Sequence, residues 1–261
     1  MKKESICDGN MEMELENAWK NDEFQVFLQP QVEVESGSIG GFEALIRWEH
    51  PTRGILEPQE FLPAMKGLCM IERLDYLVFE KVCSFLDSRI KERKELFSVS
   101  CNFVREHFEK ADFADIVEDI RLRFQVPAEF LAVEITEGEA FADEETVQRN
   151  VGRLKELGYP VYLDDYGADK STFGDLMFHS ISHIKVDKKL IDHIEQENVC
   201  VLLQGLCDIA HRLAYQVVCE GVENKGQYEA AKKCGVDIIQ GFYFFHPMKI
   251  SKAVNLFDKN Q

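Results

Sequence analysis

Eight short runs of β-branched and aromatic residues alternate with longer stretches of helical periodicity, and few folds accommodate that rhythm. The runs are FQVFLQPQVEV, IGGFEALIRW, FSVSCNFV, LAVEIT, PVYLDDY, HIKVD, QVVCEGV and IIQGFYF. Between most of them lie amphipathic stretches such as LDYLVFEKVCSFLDSRIKER, DEETVQRNVGRLKELG, VCVLLQGLCDIAHRLA and NKGQYEAAKKCG. Only ESGSIG separates the first two runs, too little for a crossover, so that pair is expected as an antiparallel hairpin. The remainder reads as repeated strand and helix units. The expected fold is α/β, a TIM-like (β/α)8 barrel with an antiparallel first strand; an open doubly wound sheet is the alternative. The glycines in LKELGYP and KKCGVD stand where a periodic helix stops before the next strand.

The 261 residues, 45% of them hydrophobic, suffice for one large core. Thirty Lys and Arg stand against 47 Asp and Glu, a formal charge of -17, which argues against DNA as a partner and against direct membrane contact. The eight cysteines, at 7, 69, 83, 101, 200, 207, 219 and 234, form no CxxC pair and no zinc-like grouping. They read as reduced core residues of a cytoplasmic protein. MKKESICDGNMEMELENAWKNDEF lacks the apolar region of a secretory signal, and no stretch approaches the ~20 apolar residues that span a bilayer. Met11, Leu15 and Trp19 have helical spacing. Residues 1–22 are therefore expected to be an introductory helix or a linker stub, and residues 23–261 the barrel domain.

In a barrel the C-terminal ends of the strands form the catalytic face. Glu43 lies in the second run, Asn102 ends the third, and Glu134 and Glu137 lie in and after the fourth. Asp164 and Asp165 end the fifth, Asp187 ends the sixth beside Lys185, Glu220 and Glu223 end the seventh, and Gln240 ends the eighth. Each has a plainer reading. Glu43 could pair with Arg47, Asp164 and Asp165 could cap a helix, Lys185 and Asp187 could pair across one strand face, and Glu220, Glu223 and Gln240 could be turn residues. Acids are poor strand formers, and a ring of them at one end of six strands points to one shared site. So many carboxylates repel one another unless something cationic sits among them. Oxygen ligands without His or Cys favour Mg2+ or Mn2+ over zinc, and the adjacent aspartates of DDYG suggest two ions, the usual apparatus of phosphodiester attack. Such ions, with Arg47, would let an acidic protein bind an anionic substrate.

From about Glu23 to Met248 the chain resembles the EAL domain family of cyclic di-GMP phosphodiesterases. Glu43, Ala44 and Leu45 form the name-giving triplet in EALIRW, and FLQP, CNFV, EITE, DDYG, KVD, EGVE and QGFYF follow in the family's order. The resemblance implies that Glu43, Asn102, Glu134, Asp164, Asp187 and Glu220 ligate metal, with Asp165 in the second ion's sphere. It implies that Lys185 positions or activates the attacking water, that Gln240 lies near that water, and that Gln29 and Arg47 hold guanine and phosphate. Glu137 and Glu223 would fix the loops and ligands close to the substrate. It further implies a homodimer and compatibility with an upstream sensor or GGDEF domain in a longer chain; the all-oxygen ligand set, open to a larger hard ion that polarises and aims water less well, makes Ca2+ an ion expected to permit binding but block turnover.

One segment departs from the family pattern. Where DDFGTGYSSL is usual, this chain reads DDYGADKSTF, with Asp169 for a glycine and Lys170 for an aromatic residue. In the family this loop helps form the dimer contact and couples it to metal binding. Its alteration keeps open a receptor that binds cyclic di-GMP without hydrolysing it. A Mg2+ barrel enzyme that stabilises an enolate is a further alternative, opposed by EAL, EGVE and QGF in order.

Overall fold

The computed structural model describes residues 9–136, 142–168 and 181–259. The strands are β1 (Phe24–Glu33), β2 (Ile39–His50), β3 (Gly54–Leu56), β4 (Ser98–Phe103), β5 (Leu131–Thr136), β6 (Val161–Tyr166), β7 (His183–Val186), β8 (Gln216–Cys219), β9 (Ile238–Ile239) and β10 (Met248–Lys249). Eight of them close a barrel in the order β1, β2, β4, β5, β6, β7, β8, β9 and back to β1. From β2 to β9 all neighbours are parallel, while β1 runs antiparallel to both β2 and β9. The expected barrel and its antiparallel hairpin are both present; β3 and β10 extend the sheet outside the ring.

Strand alternation sorts the side chains into two populations. Val99, Cys101 and Phe103 of β4, Val133 and Ile135 of β5, and Leu163, Ile184 and Val217 farther round face outward. They pack against helices such as Ile71–Lys91, which contributes Val78, Phe79, Val82 and Leu86 to the same core. The alternate residues Ser100, Asn102, Glu134, Tyr162, Asp164 and Lys185 lie outside that core and face inward.

A second, smaller cluster gathers Leu15 and Ala18 of helix Gly9–Lys20 with Phe24, Trp48, Leu56, Phe61, Met65 and Leu74. It sits where β1 begins and β2 ends, and Trp48 Nε1 donates to Glu23 Oε2 at 2.9 Å.

The eighth expected run is shorter than its composition suggests. Strand pairing stops at Ile239, because the chain then folds over Val222: Tyr243 N donates to Val222 O at 2.9 Å and Phe244 N to Gly241 O at 3.2 Å. A Cβ at Gly241 would stand 2.1 Å from Val222 O, so only glycine permits this approach. Among the described residues, no helix is long and apolar enough to cross a membrane.

Candidate active site

Lys185, on β7, is fully buried, and its ammonium is the hub of the inward face. Nζ lies 2.7 Å from Glu134 Oε2, 2.7 Å from Glu220 Oε1, 3.0 Å from Asp164 Oδ1 and 3.5 Å from Glu43 Oε2. Side chains from β2, β5, β6 and β7 and from Glu220 just after β8 converge here, and around them Asn102 is paired in register with Glu134, and Gln29 with Glu43.

Glu43 is held at both oxygens. Asn102 Nδ2 donates to Oε1 at 2.7 Å, and Gln240 Nε2 donates to Oε2. Gln240 is itself clamped, accepting from Gln31 Nε2 at 2.9 Å and donating to Gln29 Oε1 at 3.2 Å, while Gln29 Nε2 donates to Phe245 O at 3.1 Å. These amides leave Glu43 no free rotation, and nothing in the sequence flagged Gln31 as their partner. Below this level Tyr162 and His183 pack with ring centroids 4.0 Å apart and planes tilted by 33°. Burial holds the His183 imidazole down at about 4, keeping it neutral.

Adjacent strand residues normally point to opposite faces, yet Asp164 and Asp165 both reach the cluster. The backbone explains how. Asp165 sits at φ 59, in the left-handed region, and the β6–β7 register shifts between Leu163 and Tyr166. This bulge turns the second aspartate back, so that Asp164, Asp165 and Glu220 each place a carboxylate oxygen within 4.8 Å of the others. Asp is among the few residues that tolerate the conformation.

Charge does not balance within this group. One ammonium meets four carboxylates, and burial pushes Glu134 up to about 8, Glu220 well upward and Asp164 upward, with Lys185 opposing. Asp165 is raised to about 6 by burial and by Asp164 and Asp187. Among the described residues, Glu134 Oε1 and Asp164 Oδ1 are buried without a hydrogen-bond partner; the Asp164 oxygen is close to the ammonium but not aligned with it. Orphaned, buried carboxylate oxygens among like charges fit a hard divalent cation.

The plainer pairings do not form. Arg47 Nη1 donates to Ile46 O at 2.8 Å, not to Glu43, and its guanidinium carbon lies 6.0 Å from the Phe27 ring centroid, partly exposed beyond Glu43 on the same strand. Asp187 caps the short helix Lys188–Ile191, accepting from Lys189 N at 2.9 Å, while Lys185 points inward to the other acids. Glu223 is exposed and pairs with Lys188 at 3.1 Å; its backbone N donates to Gln227 Oε1 at 2.7 Å. The structure thus gathers Gln29, Glu43, Asn102, Glu134, Asp164, Asp165, Lys185, Glu220 and Gln240. Arg47, Asp187 and Glu223 stand at the periphery. Glu137, Asp169 and Lys170 lie outside the described residues.

Matched against known families, residues 12–247 fit the EAL domain. The signaling protein YkoW of Bacillus subtilis is 31% identical over 92% of this chain and 30% of its own length. The cyclic di-GMP phosphodiesterase NbdA of Pseudomonas aeruginosa is 29% identical over 92% of this chain and 31% of its own. The chain thus spans about three tenths of these curated relatives. Among solved structures, the PaMucR phosphodiesterase in complex with c-di-GMP superposes with a TM-score of 0.86 at 25% identity, covering 94% of this chain and 99% of that one. An EAL domain protein from Listeria monocytogenes shares the fold with a TM-score of 0.83 at 24% identity, covering 95% and 98%.

Proposed function

The chain belongs to the EAL domain family, and from that premise we propose that it is a phosphodiesterase that opens cyclic di-GMP to linear pGpG, ending a bacterial second-messenger signal. The supporting observation is the inward cluster, in which one buried lysine gathers Glu134, Asp164 and Glu220 while Glu134 Oε1 and Asp164 Oδ1 lack a hydrogen-bond partner. Glu43, Asn102, Glu134, Asp164, Asp165, Asp187 and Glu220 would hold Mg2+ or Mn2+, two ions in this reading, which when bound acidify water and meet charge on the phosphoryl oxygens.

The chain's own groups do the positioning. Lys185 draws Glu134, Asp164 and Glu220 toward one point, and from there its ammonium orients the attacking water in line with the scissile bond. Asn102 and Gln240 fix the Glu43 carboxylate. Arg47 binds a phosphate oxygen at the mouth, and Gln29 meets a guanine edge. Glu223 and Glu137 steady the loops beside the substrate. Water attacks phosphorus, the opposite phosphorus–oxygen bond breaks, and the departing sugar oxygen takes up a proton.

Residues 23–261 serve as the catalytic domain and residues 1–22 as its introductory helix or linker stub, two copies work as a homodimer in the cytoplasm, and the unit is compatible with an upstream sensor or GGDEF domain in a longer chain. A second reading, binding without hydrolysis, draws support from Asp169 and Lys170 in the departing loop. Chromatography of cyclic di-GMP incubated with the purified protein and Mg2+ or Mn2+ separates the two. Appearance of pGpG, suppressed by Ca2+, is the expected result; saturable binding without product would replace the enzyme with a receptor.

A further inference from the structure

The cysteines that carry no part in the site are not all isolated. Cys200, in the first turn of helix Glu197–Arg212, and Cys234, directly after helix Lys225–Lys233, bring their sulfurs to 2.8 Å across a sequence separation of 34. Among the described residues this is the one sulfur–sulfur contact. The distance is about 0.8 Å longer than a disulfide bond, so closure needs only a small side-chain adjustment.

The two thiols have unequal access. Cys200 is partly exposed, whereas Cys234 is 3% exposed and its backbone is pinned by donation to Ala230 O and Ala231 O. Burial and the contact with Cys200 push the Cys234 thiol up to about 12. An accessible sulfur backed by a fixed, protonated one is the arrangement of an attacking and a resolving cysteine.

We propose that Cys200 and Cys234 form a reversible dithiol–disulfide site that exchanges with small-molecule disulfides. The Cys200 thiolate attacks one sulfur of glutathione disulfide; a new S–S bond forms and one glutathione leaves as thiolate. Cys234 gives its proton to that thiolate and attacks Cys200 Sγ, expelling the second glutathione, which takes up the proton that Cys200 had lost. Two cysteine thiols are oxidised, one disulfide is reduced to two thiols, and no proton is gained or lost overall. The bond ties helix Glu197–Arg212 to the end of helix Lys225–Lys233 and encloses β8 with Glu220 in the closed loop. It stabilises the fold whether or not the barrel hydrolyses anything.

The test treats the full chain with glutathione disulfide, then alkylates and maps it by mass spectrometry. The expected product is a Cys200–Cys234 cross-link lighter by two hydrogens, with Tm raised by about 5 °C or more and restored by dithiothreitol. Cys200→Ser should lose both the cross-link and the Tm rise. Cys234→Ser should stop at a glutathione adduct on Cys200, and Cys69→Ser should behave as wild type. A stable glutathione adduct on wild-type Cys200, full alkylation of both residues, or a cross-link to another cysteine would overturn the proposal.

Discussion

The outward and inward faces of the barrel strands alternate along the same short segments, yet they answer to opposite demands. On β4, Val99, Cys101 and Phe103 enter the apolar core while Ser100 and Asn102 turn inward; on β5, Val133 and Ile135 do the first and Glu134 the second. The outward face gains from burial at roughly 25 cal/mol per Å² and asks only for shape and volume. The inward face asks for charge balance, because buried carboxylates with one lysine among them strain toward protonation. The difference separates residues that make the fold from residues that spend its stability on a site. Substituting one face should change stability, and substituting the other should change chemistry.

The largest expected effect lies on the outward face. Phe42→Ala removes a fully buried ring packed at a tilt, 4.6 Å between centroids, against Phe97 and should cost about 3–5 kcal/mol in denaturant unfolding, with turnover per folded molecule retained. Comparable magnitude but opposite character is expected inward. Glu43→Gln puts an amide NH2 against the NH2 of Asn102 or Gln240 and removes a charge, so turnover should fall roughly 10²- to 10³-fold while the far-ultraviolet circular dichroism is unchanged. Wild-type hydrolysis by that folded variant would erase the distinction between the faces.

His183 is held below its ordinary value, so as pH falls from about 6.5 to about 4 the unfolded chain takes up a proton that the native state refuses. Stability is therefore full above that window and declines through it. His183→Gln should spare the protein about 1–2 kcal/mol of this loss at pH 5, read from urea midpoints at pH 7 and pH 5. Arg47→Ala should raise KM about tenfold and change kcat little if its guanidinium at the rim binds phosphate alike in ground and transition states. A fall in kcat at constant KM would move Arg47 into the transition state.

Much of the inward face was legible because acids are conspicuous in strands: Glu43, Glu134 and Asp164 interrupt apolar runs at positions where no solvent-facing role repeats so regularly. Its depth was not. Gln31, Ser100, Tyr162 and His183 continue the polar lining below the carboxylates, but period-two alternation reads the same whether the polar side faces water or a barrel interior. The run Phe242 to Phe245 has strand composition but turns over Val222, a close backbone approach visible only in three dimensions. Asp165 required the left-handed kink to join its neighbour, and no propensity scale announces that. The meeting of Cys200 and Cys234 escaped for the same reason, since spacing motifs register only cysteines that are near in sequence.

The inward face sets one buried ammonium against four carboxylates, and a divalent cation is expected to supply the missing positive charge. Calorimetric titration of Mn2+ into metal-stripped protein at pH 7, repeated in buffers of different ionisation enthalpy, tests this directly. With Glu134 raised to about 8, the native cluster carries protons at pH 7 that a cation must displace. Saturable binding accompanied by proton release, and lost in Asp164→Asn, is the predicted result. Saturable binding with heats independent of the buffer, or no saturable binding at all, would contradict the account.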